Sequence, residues 1–155
     1  MIDIDIPGRR KYNISNIVFD YNGTLAVDGK MSKTTLDNIN KLSELVEIYI
    51  LTADTYGDVN DYCEGLPVNL KTFPGNNAAS HKKEIVASLS GESICIGNGF
   101  NDIEMFKISD LSICILGDEG CCSKTIAESD IVAKSINDVF DMLFNKNRIR
   151  ATLRA

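Results

Sequence analysis

Six positions have residue types and spacing suited to chemistry. Asp20 ends the apolar run Ile17-Val18-Phe19 and leads straight into Asn22-Gly23-Thr24. A carboxylate at the end of a buried strand, followed by a glycine turn, can reach out of a sheet while backbone N–H groups gather around it. One nucleophilic oxygen with nearby donors for an anion suits attack on a phosphate. Downstream, the Thr52 hydroxyl and the next N–H, at Ala53, could bind a phosphoryl oxygen, and Lys82 could offset phosphate charge beside a carboxylate. The stretch Gly97-Asn98-Gly99-Phe100-Asn101-Asp102 places an acid at the start of a helix. There it could help hold Mg²⁺, which favours a few carboxylates plus waters and substrate oxygens. Each residue also has an ordinary explanation. Thr52 could cap a helix, Lys82 could lie on a solvated face, and Asp102 could complement a helix dipole.

The elements that must position these groups alternate strand and helix from residue 16 onward, the pattern of a parallel sheet with helices on both faces. Strands are expected at 16–20, 47–51, 68–73, 93–97, 111–116 and 130–133. Leu36, Ile39, Leu42 and Leu45 recur every three residues after a candidate Ser32 cap. Ile85, Val86 and Leu89 mark another helix, and Ile136, Val139, Phe140, Leu143 and Phe144 the last. Ile2, Ile4 and Ile6 alternate with acids before Pro7-Gly8, which predicts an N-terminal hairpin over 1–15. Residues 1–145 are expected to form one domain, with 146–155 a basic, frayed tail or a contact for an acidic partner. In a sheet of this kind ligands bind beyond the carboxyl ends of the strands, where connections diverge. Asp20, Thr52 and the 97–102 stretch would meet there.

A chain of 155 residues can bury roughly 70% of its unfolded surface around one core. The formal charge of −6 argues against a nucleic-acid binder. No apolar run reaches the length of a membrane span, and the acidic, alternating N-terminus is unlike a signal peptide, so a cytoplasmic protein is expected. The odd count of five cysteines argues against a disulfide framework. Cys95 and Cys114 lie in apolar runs as core residues, whereas Cys121-Cys122 is either a redox or metal pair or two ordinary thiols.

Together the motifs resemble the haloacid dehalogenase (HAD) superfamily of phosphatases and phosphotransferases. Asp20-Tyr21-Asn22-Gly23-Thr24-Leu25 matches motif I, Thr52 motif II, Lys82 motif III, and Gly97-Asn98-Gly99-Phe100-Asn101-Asp102 motif IV. Within the superfamily the chain looks closest to the phosphorylation domain of P-type ATPases and its small soluble relatives. Ser80-His81-Lys82-Lys83-Glu84-Ile85-Val86 is similar to their lysine segment and favours Lys82 over Lys83. The resemblance implies a Rossmann-like fold, an aspartyl-phosphate on Asp20, and Thr52, Ala53 and Lys82 on the phosphoryl group. It also implies Mg²⁺ held by the Asp20 carboxylate, the backbone carbonyl of Asn22, and the motif IV side chains of Asn98 and Asp102.

Two departures bear on rate. Asn22 stands where most HAD phosphatases carry an aspartate that exchanges protons with leaving group and water, and an amide cannot do so. Asn98 stands where the first motif IV aspartate is expected and offers a metal an uncharged oxygen. A slow Mg²⁺-dependent phosphohydrolase is therefore expected, the alternative being a phosphate-binding regulatory module without efficient turnover. Both asparagines precede glycine, so deamidation could restore the acids. Only 27 residues separate Thr24 from Thr52, and 29 separate Thr52 from Lys82, too few for a cap domain. An open site suits a phosphorylated small molecule or macromolecule, or closure by a second subunit.

Overall fold

The computed structural model describes residues 1–53 and 59–155. Its strands are β1 (Ile2–Asp5), β2 (Lys11–Asp20), β3 (Glu47–Thr52), β4 (Asn69–Thr72), β5 (Glu92–Gly97), β6 (Leu111–Ile115) and β7 (Ile131–Ala133). Its helices are α1 (Lys33–Ser43), α2 (Val59–Cys63), α3 (Ala78–Ala87), α4 (Ile103–Ile108), α5 (Ser123–Ala127), α6 (Ile136–Phe144) and α7 (Asn147–Leu153). Strands β4-β3-β2-β5-β6-β7 form a parallel sheet, and β1 joins β2 antiparallel. The expected α/β architecture is present, with no cap domain among the described residues.

The period-2 alternation of β-strands divides the core into two faces. Ile17, Phe19, Ile48, Ile50, Ile94, Ile96 and Ile113 pack on one side with Ile39 and Leu42 of α1 and Val139, Phe140 and Leu143 of α6. Val18, Leu51, Cys95 and Cys114 pack on the other with Val86 of α3 and Met105 and Phe106 of α4. Asp20, two residues beyond Val18, therefore belongs to the face covered by α3 and α4.

The chain runs β2-β3-β4 to one side of β2, then returns through α3 to β5 on the other side. The β2/β5 boundary is thus where connections diverge, and its carboxyl end is the expected crevice. Phe19 pairs with Ile96, and Asp20 and Gly97 are the last residues of their strands.

Local expectations fare unevenly. Ser32 caps α1, its hydroxyl accepting from Thr35 N at 3.1 Å. Leu45, however, lies beyond the helix and is exposed. The strand expected at 16–20 begins at Lys11, because the return arm of the N-terminal hairpin runs on into the central strand. One hairpin went unforeseen. Asp28 (φ 51°) and Gly29 (φ 77°) turn the chain between Val27 and Lys30, and the Tyr21 hydroxyl donates to Gly29 O at 2.9 Å. Asp-Gly between flanking residues was its readable signal.

The frayed-tail expectation for 146–155 is corrected. Asn147–Leu153 is helical, Ile149 is fully buried, Arg150 Nε donates to Asp5 O at 2.7 Å, and Ala155 N donates to Pro7 O at 3.1 Å. A single buried isoleucine in a basic stretch gave the sequence pattern too little to read, yet it closes the core under β1. Ile149→Ala should cost about 2–5 kcal/mol, measured by urea denaturation. A loss within error of zero would show that the helix is ornamental to stability.

Candidate active site

Helix α3 buries Ala78, Lys82 and Val86, one residue every four, as a single stripe. Val86 enters the core on the α3/α4 face of the sheet, and Lys82, one turn earlier, lies over the end of β2. Its ammonium donates to Asp20 Oδ1 at 2.6 Å, to Asp102 Oδ1 at 2.6 Å and to Asn101 Oδ1 at 3.3 Å. Only 1% of Lys82 is exposed, which rules out the solvated-face explanation.

Asp102 is fully buried at the end of the 3-10 turn Phe100–Asp102 that leads into α4. Its second oxygen, Oδ2, accepts from Asn98 N and Gly99 N, each at 2.9 Å. A Cβ on Gly97 would collide with this carboxylate, so only glycine ends β5 here. Both Asp102 oxygens are thereby committed. Asp102 thereby fixes the lysine and folds the motif IV turn.

Asp20 Oδ2 faces a different set of groups. Thr24 Oγ1 donates to Asp20 Oδ2 at 3.3 Å and lies 3.4 Å from Asn98 Oδ1. Thr24 was legible as part of motif I, but its place between these two oxygens was not. Gly23, at φ 77°, lies against the Asn98 amide where a side chain would collide. Asn22 Oδ1 is buried and has no hydrogen-bond partner. The carboxylate oxygen turned away from the lysine, an amide oxygen and an orphaned amide oxygen fit a hard cation, although they carry one negative charge among them. Among the described residues no cluster of three His, Cys, Asp or Glu side chains is grouped as a metal site.

Thr52 is buried at the end of β3, and its carbonyl accepts from Phe73 N at 3.2 Å. Leu51 is the register partner of Asp20, so Thr52 and half-buried Ala53 lie just beyond the level of Asp20 on the neighbouring strand. The capping alternative for Thr52 falls on residues 54–58, which lie outside the described residues. His81 stacks on Phe73 at 5.5 Å between ring centroids.

Burial, reinforced by the charge of Asp102, pushes the Asp20 carboxyl up to about 7, with Lys82 pulling the other way. Burial alone would lower Lys82, but Asp20 and Asp102 outweigh it and hold the ammonium above its ordinary value. Two acids share one cation. The deamidation route is opposed by geometry, because ring closure needs attack by the following backbone nitrogen. Gly23 N is held by Ala26 O at 2.8 Å and Gly99 N by Asp102 Oδ2.

This arrangement of the sheet and its helices recurs in solved structures. A cobalt-bound deoxy-D-mannose-octulosonate 8-phosphate phosphatase from Haemophilus influenzae superposes with a TM-score of 0.71 at 14% identity, over 92% of this chain and 94% of that one. The chain has the haloacid dehalogenase fold. A second HAD phosphatase, the Moraxella catarrhalis 3-deoxy-D-manno-octulosonate 8-phosphate phosphatase with magnesium, phosphate and KDO, gives a TM-score of 0.63 at 16% identity, covering 91% and 94%. An apo phosphoserine phosphatase gives 0.65 at 13%, covering 84% and 100%. No family model matches the sequence. Over 139 residues, 84% of the chain, it is 24% identical to a soluble P-type ATPase-like phosphatase of Methanocaldococcus jannaschii, spanning 51% of that protein. Over 61 residues, 39% of the chain, it is 59% identical to an uncharacterized protein of the same organism, spanning 66% of it. The chain thus spans about half the length of the phosphatase relative and somewhat under two thirds of the other.

Lys82→Met should cost about 3–5 kcal/mol, because two acids would remain buried without their cation; adding Asp102→Asn should recover part of this in urea denaturation. The raised value of Asp20 sets a second expectation. Its contribution to folding is complete below its ordinary value of 3.8 and is lost as pH climbs through about 7. The urea midpoint of the wild type should therefore fall relative to Asp20→Asn between pH 4 and 7; parallel profiles would contradict the assigned burial cost.

Proposed function

We propose that the protein is a Mg²⁺-dependent phosphohydrolase that works through an aspartyl-phosphate on Asp20, slowed by Asn22 and Asn98. The observation that carries this reading is the sharing of the Lys82 ammonium by Asp20 and Asp102, at 2.6 Å each, at the sheet's divergence point. The HAD fold and the phosphatase-named relative support it.

Asp20 attacks the phosphorus in line, the bond to the leaving oxygen breaks, and the leaving group departs as its anion. Lys82 offsets charge on the transferring group, and Asp102 keeps the ammonium from turning away. The Thr52 hydroxyl and the Ala53 N–H hold phosphoryl oxygens. Water then attacks phosphorus in the acyl-phosphate, releasing phosphate and restoring Asp20. Asp20 Oδ2, Asn98 Oδ1 and Asn22 would hold Mg²⁺, which when bound supplies charge compensation to the phosphoryl oxygens. Positioning and charge compensation are most of what phosphoryl transfer needs.

Asn22 can donate a hydrogen bond to the leaving oxygen but cannot give it a proton. Substrates whose leaving groups are stable as anions, acyl or aryl phosphates, should therefore be turned over best. The capless site suits a phosphorylated small molecule or an exposed phosphoryl group on a macromolecule, with a second copy of the chain as one means of closure. The asparagines also favour a second reading, a regulatory module that binds phosphate without efficient turnover.

Acid-quenched mass spectrometry after mixing with an aryl or acyl phosphate should find a phosphoryl adduct on Asp20 only when Mg²⁺ is present. Asp20→Asn should lower turnover by on the order of 10³-fold or more, and Asn22→Asp should raise it by about 10²–10⁴-fold for poor leaving groups. A folded Asn22→Asp/Asn98→Asp protein with no adduct and no turnover would leave only the regulatory reading.

A further inference from the structure

The cysteines around the β6–α5 connection take no part in the proposed chemistry, yet they lie against the loop that shapes it. Cys114 Sγ and Cys121 Sγ are 2.8 Å apart, Cys114 buried in the core and Cys121 half-buried at its edge. Disulfide formation needs a further approach of about 0.8 Å between the sulfurs. The intervening loop turns tightly through the Gly117–Gly120 bridge, and Gly120 at φ 78° lets it double back. Three hydrogen bonds then clasp the motif IV turn. Asn98 Nδ2 donates to Gly120 O at 3.1 Å, Cys122 N donates to Asn98 O at 2.9 Å, and Thr125 Oγ1 donates to Gly99 O at 2.8 Å.

We propose that Cys114 and Cys121 are a reversible oxidation site, joined by hydroperoxides into a disulfide that locks the 116–122 loop onto the Asn98–Gly99 turn. The Cys121 thiolate attacks a peroxide oxygen, the O–O bond breaks, and the departing oxygen leaves, once protonated, as water or an alcohol. Cys121 is then a sulfenic acid. Sulfur of Cys114 attacks sulfur of Cys121, the S–O bond breaks, and hydroxide leaves with the Cys114 proton as water. Two thiols lose two electrons in total, and the peroxide gains them.

Other pairings fit less well. The Cα atoms of adjacent Cys121 and Cys122 are about 3.8 Å apart, below the usual disulfide range. Burial pushes the thiols of Cys63 and Cys95 up to about 11 and about 12, so both stay protonated. Cys114 is sealed in the core whereas Cys121 is half-buried at its edge, which places the first attack on Cys121. A soft-metal site is disfavoured, since no third His, Cys, Asp or Glu among the described residues completes one with this pair.

The test oxidises the whole chain with stoichiometric hydrogen peroxide, then counts thiols and maps peptides. Thiols should fall from five to three, with a mass loss of about 2 Da that dithiothreitol reverses. Trypsin leaves all three loop cysteines in residues 108–124, but cleavage at Glu119 separates Cys114 from Cys121 unless a bridge joins them. The linked pair should persist in Cys122→Ser and be absent in Cys121→Ser, which should keep all four of its thiols. In the wild type, exchange of the Cys122 amide should slow at least tenfold on oxidation. Five thiols remaining, a bridge through Cys122, Cys121 sulfinic acid beside free Cys114, or unchanged exchange would each overturn the proposal. None of these outcomes depends on phosphatase activity.

Discussion

One ammonium held between two buried carboxylates is the interaction on which the site depends. Removing Lys82, Asp20 and Asp102 from water is expensive, and only mutual pairing with further hydrogen bonds offsets that cost. Those further bonds account for much of the local architecture. Asp102 needs the amides of Asn98 and Gly99, which forces the tight turn after β5 and requires glycine at 97. Lys82 needs a third acceptor, and Asn101 supplies it. The residues that look like a motif are thus those that satisfy a buried charge cluster.

The cluster leaves Asp20 in an unusual position. Its Oδ1 is tied to the lysine while Oδ2 faces Thr24, Asn98 and the crevice. Its raised pKa reflects burial first and, beyond that, the charge of Asp102, which one lysine only partly offsets. A bound cation on the Oδ2 side would relieve that excess charge and favour the ionised form. With Asn22 and Asn98 in place of the expected acids, no further negative charge is added beside a carboxylate pair that already exceeds what one lysine can balance.

Around this centre the fold provides two kinds of support. The sheet and helices α3 and α4 fix the lysine and its acids through packing, whereas the crevice's rim is held mainly by hydrogen bonds of loops. The 22–30 hairpin is one such rim element and the 116–122 loop another, with Asp28 N donating to Glu119 Oε2 at 3.1 Å between them. A covalent tie at Cys114–Cys121 would act on the second kind of support without touching the first.

The sequence by itself determined the alternation of strands and helices, the order of the motifs and the identity of the nucleophile candidate. These are local: periodicity in 16–20 and 93–97, glycine beside Asp20 and Asn98, a capping serine at 32. Spacing also excluded a cap domain, since each interval has room for little beyond one helix and one strand. Only the tertiary structure decided that Asp102 anchors Lys82 with both oxygens committed, that Thr24 lies between Asp20 and Asn98, and that the basic segment at 147–153 is a docked helix. It alone brought Cys114 against Cys121. Each of these depends on which elements pack together across long stretches of chain, and that is set by burial of shared surface, which no local pattern records.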